Sequence, residues 1–342
     1  GTGAISSDGA VSLTGATVST GANVTTTQDL ISFTGDTTLT GNVALSTGAG
    51  AGDITFNNKL DAAVAQTLGL TAGTGVITFT GAVGSGTPLG AITINSAGGL
   101  NAAAVSAASL VGTTMTGNVS LTGAQVYTAA AGLNLVTTTG TITLANAATV
   151  TTSGGGIVTL NANGALTLGT GAISSDGAVS LTGATVTTSA NITTTGDLIR
   201  FFSPTVLGGT LAGGNKDLTI AAGTAAGTVT FNGAVSAIGD GVGAAITIGS
   251  TGLVDFKNTV AGASGIVSTS ASGSTRFRGN VNLGNGDTGS NFSGSVTFDT
   301  GITYTGFDGL TVTGAVTAGV LTLAANNGNI DLANAANDFT GI

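Results

Sequence analysis

A chain of 342 residues with 60 Gly, 2 Pro, 6% charged and 4% aromatic residues, and a mean hydropathy of +0.49, departs from ordinary globular composition, in which about a quarter of residues are charged and about 7% are Gly. Its 41% hydrophobic content argues against disorder, which pairs low hydrophobicity with high net charge, and the scarcity of Pro and lack of a three-residue Gly period exclude collagen. The net charge of −9, from 6 basic residues against 15 acids that are all Asp, makes nucleic acid and anionic membrane surfaces poor partners, because both are held through Lys and Arg.

No Cys, His, Glu or Trp is present. Neither a disulfide framework nor thiol chemistry is available, a composition compatible with secretion through an unfolded state. No run of about eighteen apolar residues offers a membrane-spanning segment.

From the N-terminus onward the chain is a succession of short phrases, each a Gly turn followed by alternating apolar and small polar residues. They are GAVSL at 9–13, GNVAL at 41–45, GDITF at 52–56, GVITF at 75–79, GNVSL at 117–121, GTITL at 140–144, GIVTL at 156–160 and GALTL at 164–168. The series continues with GTVTF at 227–231, GNVNL at 279–283, GSVTF at 294–298 and GNIDL at 328–332. The third and fifth residues are Val, Ile, Leu or Phe, and the fourth is mostly Ser or Thr. Period two predicts strands with one buried face.

Helix competes poorly. Thr, Val and Ile favour strands, Gly costs a helix about 1 kcal/mol relative to Ala, and the apolar residues do not recur at i, i+3, i+4. One stretch, NAAAVSAASLV from Asn101 to Val111, has helical composition, so a short helix is the alternative there.

Residues 1–33 return at 169–201 with 28 identities, and two of the five changes, Ser19 to Thr187 and Val24 to Ile192, stay close in size. Shorter echoes occur at other offsets, such as TFTGAV at 78–83 and TFNGAV at 230–235. Repeats joined by short Gly turns describe a solenoid. The expected fold is therefore all-β, a parallel β-helix running as a single continuous solenoid over 1–342. Val, Ile, Leu and Phe fill its interior, Thr and Ser line its outer faces, and Gly and Asn take corners that need positive φ. With about 21 to 24 residues per turn it makes roughly 14 to 16 turns, a rod on the order of 70 Å long at the ~4.8 Å strand spacing. Gly1 aligns with the interior Gly169, and the closing GNIDLANAANDFTGI stops just after a motif related to GTITLANAA at 140–148. The expectation is a segment of a longer array, or a subunit whose ends meet copies of itself head to tail.

The phrases GAGAGDITFNN, LTAGTGVITFTGAVGSGTPLGAITINSAGGL, GAQVYTAA and LANAANDFTG resemble those of bacterial filamentous-haemagglutinin-like exoproteins and autotransporter-type adhesins, the large β-strand-repeat proteins of bacterial surfaces. The resemblance covers essentially the whole chain. It implies a right-handed β-helix, export across the outer membrane, and a role as adhesin, fibre or matrix component at the cell surface. No functional residues carry over with it.

Chemistry is sparse. Polysaccharide lyases and hydrolases built on β-helices cluster carboxylates or a basic residue on one face, whereas Asp8, Asp29, Asp36, Asp53 and Asp61 fall in different phrases, and Asp8 and Asp29 recur as Asp176 and Asp197. A repeated Asp reads as a turn-former bonding nearby backbone N–H groups, so no catalytic, cofactor or metal site is expected and the chain is read as no enzyme. GNGDTGSN at 284–291 resembles a single calcium repeat but reads as a polar loop. Arg276 and Arg278 alternate about Phe277 and so share a strand face, either a solvated edge that blocks aggregation or a contact for carbohydrate or an acidic surface. Thr runs at 25–27, 185–187, 193–195 and 311–313 read as ladder packing, because an ice-binding array needs one T-x-T per turn at constant spacing. The sequons at Asn23, Asn118, Asn191 and Asn291 read as incidental. The leading expectation is an extracellular structural rod or filament. An adhesin that binds surface glycans through the pattern-breaking segments 196–217 and 284–308 is the alternative.

Overall fold

The computed structural model describes residues 3–188, 190–195, 197, 199–202, 205–207, 211–220, 228–286, 288–332 and 334–339. Among them there is no helix, and parallel strands stack as a β-solenoid of about 15 turns. Contacts divide the chain into two compact units, Gly1–Gly177 and Ala178–Ile342.

In the first unit a coil has three sides, each holding a strand segment except at Val83, which keeps its place as an isolated bridge. One side stacks Val11, Ile31, Ile54, Ile77, Leu100, Val119, Ile142 and Leu166 in successive rungs. A second stacks Thr37, Leu60, Val83, Val105, Gln125, Val150 and Ile173. The third stacks Ile5, Val24, Leu45, Leu70, Ile94, Gly112, Leu135 and Leu160. Most of these residues are fully buried, and removing each large apolar side chain from water is worth about 1.5–3 kcal/mol. A coil runs from 18 residues, Ile94 to Gly112, to 25, Leu135 to Leu160. That is wider than the expected 21 to 24, because the corners absorb loops of different length while the rungs stay aligned.

The helical alternative at Asn101–Val111 does not form. Gly99–Ala102 and Val105–Met115 are strands, the latter with Val105, Ala107 and Ser109 buried in alternation. Alanine satisfies period two as well as period 3.6, and both strands pair with strands of the preceding and following coils.

The expectation about corner residues holds for one set of glycines, among them Gly48, Gly73, Gly84 and Gly132, which have positive φ. It needs correction for the glycines that open the phrases, such as Gly75, Gly117 and Gly140, which are absent from the positive-φ set, and for every described Asn. Close stacking is the reason for Gly at the phrase openings: a Cβ on Gly117 would lie 1.8 Å from the Gly98 carbonyl oxygen, and one on Gly140 would lie 2.0 Å from that of Gly117. Asn instead reaches between coils. The Oδ1 atoms of Asn23, Asn42 and Asn118 accept the backbone N–H of Ala44, Thr67 and Thr141 at 2.8–2.9 Å. Inside the corners, buried hydroxyls close the turns: Thr26, Thr47 and Thr137 donate to the carbonyls of Asp29, Gly52 and Gly140.

In the second unit one side carries Phe231, Phe256, Phe277 and Phe298 in consecutive rungs, followed by Ala318 and Phe339. Those four rings stack at centroid distances of 4.9, 5.3 and 5.5 Å. Another side opens with Val179, Ile199, Leu218, Ile246 and Ile266. The last runs through Ile192, Leu211, Val235, Val260, Val281 and Tyr304.

The two copies of the long repeat share rung pairs and corner hydrogen bonds, although Val11–Thr20 is one strand where the second copy has two, Val179–Thr182 and Val186–Thr188. Val11 pairs with Ile31, and Val179 with Ile199. The Thr20 hydroxyl accepts Ala22 N–H and the Thr188 hydroxyl accepts Ala190 N–H. Thr26 donates to the Asp29 carbonyl at 2.6 Å, and Thr194 to that of Asp197 at 2.7 Å.

Candidate functional site

Because side chains alternate across a strand, the outward residues of each Phe-bearing side flank the buried rings. In the second unit these are Asp255 and Lys257 about Phe256, Arg276 and Arg278 about Phe277, and Thr297 and Asp299 about Phe298. Asp255, Arg276 and Thr297 are rung neighbours. Arg276 donates from Nε to Asp299 Oδ1 at 2.8 Å and from Nη2 to Oδ2 at 3.1 Å. Arg278 grips Asp255 on the opposite coil in the same two-pronged way, at 2.9 and 2.8 Å. Such forked pairs are the strong form of charge-assisted hydrogen bond. The bond to Asp255 raises the Arg278 guanidinium above its usual range. Asp255 is almost buried, its side chain 5% exposed, whereas Arg276, Arg278 and Asp299 keep about a third of theirs in water.

Arg276 and Arg278 therefore do share a face, as their spacing predicts. They are not on a sheet edge, however. The strand Ser274–Phe277 pairs on both flanks, with Leu253–Phe256 and Ser295–Phe298, and each cation is neutralised by a carboxylate 23 residues away in sequence. Asp255 and Asp299 are the partners that sequence reading missed. Only a coil-length offset connects them to the arginines, and coil length varies.

In the first unit, Lys59 stands 3.7 Å from Asp36 and 3.6 Å from Asp61. Asp61 is further held by the Gly86 N–H at 2.8 Å. The remaining candidate acids are spread apart. Asp53 accepts Val76 N–H and Asp176 accepts Gly155 N–H, so their carboxylates bond backbone as expected, but across coils rather than within their own turns. Asp29 and Asp197 act through their main-chain carbonyls, and Asp8 is exposed.

Along the Phe-bearing side of the first unit the outward middle positions align as Ser12, Ser32, Thr55, Thr78, Asn101, Ser120, Thr143 and Thr167. Hydroxyls thus stack rung on rung, interrupted once by Asn101, although the residues lie 19 to 24 positions apart in sequence. The Thr run at 25–27 serves the ladder, with Thr25 between Ser6 and Ser46 and Thr26 turned inward. Of the pattern-breaking segments, 196–217 lies partly outside the described residues, as does Asp287 of the GNGDTGSN loop. Near the other, Ala237, Asn282 and Phe307 border an open groove of about 350 Å³ that no acidic or basic side chain lines. No group of three or more potential metal ligands occurs among the described residues.

Comparison with protein-family models, curated proteins and solved structures finds no match to the chain.

Proposed function

We propose that the chain is an extracellular structural protein of a bacterial surface or matrix, working as a stiff β-helical rod or filament component rather than as an enzyme. The observation that carries the reading is the continuity of the ladders within each unit: like side chains occupy rung after rung, inside as Phe on Phe and outside as hydroxyl on hydroxyl. Interiors packed this way resist bending, and strands paired on both flanks leave few backbone groups open to proteases. The carboxylates of Asp53, Asp61 and Asp176 bond backbone between coils and those of Asp255 and Asp299 form salt bridges, which fits a load-bearing role. In this reading the partner is another copy, stacked head to tail, since open β-edges template further pairing.

Electron microscopy of the purified chain at rising concentration tests the proposal. Straight rods that join end to end support it. Compact particles that stay single and are digested rapidly by a broad-specificity protease contradict it.

A second reading, adhesion to a surface glycan, draws on the Arg276–Asp299 and Arg278–Asp255 cluster, which concentrates charge on one side of a chain otherwise poor in it. Glycan-array binding abolished by R276A with the fold intact would favour adhesion over a purely structural role.

A further inference from the structure

The two copies of the long repeat do not take the same place around the coil. In the first unit Phe33 belongs to the side that carries the aromatic stack, where it faces Phe56 and then Phe79. Its counterpart Phe201 does not belong to the aromatic side of the second unit. Its rung neighbours are Leu181 and Ile220, and it meets Phe231 of the stack edge-on, at 5.9 Å and 82°. In the second unit the residues on the aromatic side below Phe231 are Thr205–Leu207, one phrase later in the chain. Nearly identical sequence thus enters each unit at a different side, displaced by one phrase relative to the aromatic ladder.

Local geometry survives this displacement. The rung pair Val11–Ile31 is kept as Val179–Ile199, and the same corner hydroxyls bond the same backbone groups. What changes is the strand on the next coil, Ile54 against Ile31 but Leu218 against Ile199. Each side takes inward residues that are mostly apolar, with outward residues between them as different as Ser180 and Arg200, so a phrase carries no mark of the side it occupies.

We infer that the exchangeable unit of this solenoid is the single strand-and-turn phrase rather than the complete coil, so that the chain lengthens by one phrase with every downstream strand moving on to the next side. The variability of coil length, from 18 residues between Ile94 and Gly112 to 28 between Leu218 and Ile246, follows from the same tolerance.

Duplicating Gly164–Thr170 (GALTLGT) in the full chain tests the inference, with duplication of the whole coil 140–163 as the control that preserves phase. Cysteine pairs read the outcome cleanly because the chain has none of its own, and rung neighbours on adjacent coils lie within the Cα separation that a disulfide accepts. Thr151 and Ser174 are rung neighbours in the parent, so T151C/S174C closes there. In the phrase duplicate, Ser174 moves on to the side of Thr159, and T159C/S174C closes in place of T151C/S174C. Persistence of the T151C/S174C bond means the added phrase loops out, which overturns the inference. Misfolding of the phrase duplicate while the whole-coil duplicate folds overturns it equally. So does misfolding of both, since a solenoid of exchangeable phrases accepts either addition.

Discussion

Phe33 and Phe56, one coil apart, stack with ring centroids 4.6 Å apart and planes 6° from parallel. Phe79 continues the column at 5.4 Å from Phe56, so Phe56 is gripped on both faces. Replacing it by Ala leaves a ring-sized void that two flanking rings and the backbone rungs cannot close, and core Phe-to-Ala changes cost about 3–5 kcal/mol. Because long repeat arrays need not unfold in one step, the loss is best read locally. Hydrogen exchange of the Ile54–Phe56 and Val76–Phe79 strands in F56A accelerates by at least two orders of magnitude, while F56L changes it by about tenfold or less.

Gly117 is required by proximity. Its Cα approaches the Gly98 carbonyl so closely that a methyl group would overlap the oxygen, whereas Gly9 has nothing within 4 Å of the same position. G117A therefore pushes two coils apart and lowers the melting temperature by several degrees, and G9A leaves it unchanged within a degree. Equal effects from the two would show that Gly is chosen for turn conformation alone.

Asn118 accepts the Thr141 N–H at 2.9 Å through Oδ1, and Asp53 does the same for Val76. Carboxylate and amide are interchangeable as acceptors at this corner. N118D should keep the parent stability to within about 0.5 kcal/mol, and N118A should lose about 1 kcal/mol, the net worth of an intramolecular hydrogen bond, measured by chemical denaturation.

How much of this was legible in the sequence differs by level. The strands Ile54–Phe56, Val76–Phe79, Val119–Leu121, Ile142–Leu144, Val158–Ala162 and Leu166–Leu168 sit where the G-x-apolar-polar-apolar phrases placed them, because period two is a local property, whereas strands such as Leu60–Ala62 and Val150–Thr152 carry no such phrase. Partners on the next coil were not legible: nothing near Arg278 in sequence points to Asp255, and the polar row from Ser12 to Thr167 emerges only once coils of unequal length are aligned by their corners. The roles of Asn and of the phrase-opening glycines were misjudged for a related reason, while glycines such as Gly48 and Gly73 do take positive φ. Positive φ is a local demand that sequence can suggest, while a carbonyl 1.8 Å from a missing Cβ belongs to another coil.

The chain has two tyrosines, and both are fully buried: the Tyr127 hydroxyl donates to Gln125 Oε1 at 2.8 Å and Tyr304 donates to the Ser290 hydroxyl. Burial raises both above the ordinary tyrosine range. The unfolded chain therefore releases these protons first as pH climbs past about 10. Stability is full below that point and falls above it, by about 1.4 kcal/mol per pH unit for each tyrosine. Tyrosinate absorbance should stay silent in the folded protein beyond pH 10 and rise together with loss of the β-sheet circular dichroism. Gradual ionisation near pH 10 with the fold intact would place one or both rings in solvent.

Like residues stack upon like from coil to coil, and ring-to-ring nuclear Overhauser contacts test that most directly. With twelve phenylalanines in the chain, selective labelling and single Phe-to-Leu assignments make the spectrum tractable. The predicted result is contact of Phe56 with both Phe33 and Phe79, and none between Phe33 and Phe79. Absence of the Phe56 contacts, or a direct Phe33–Phe79 contact, would contradict the stacked-coil architecture.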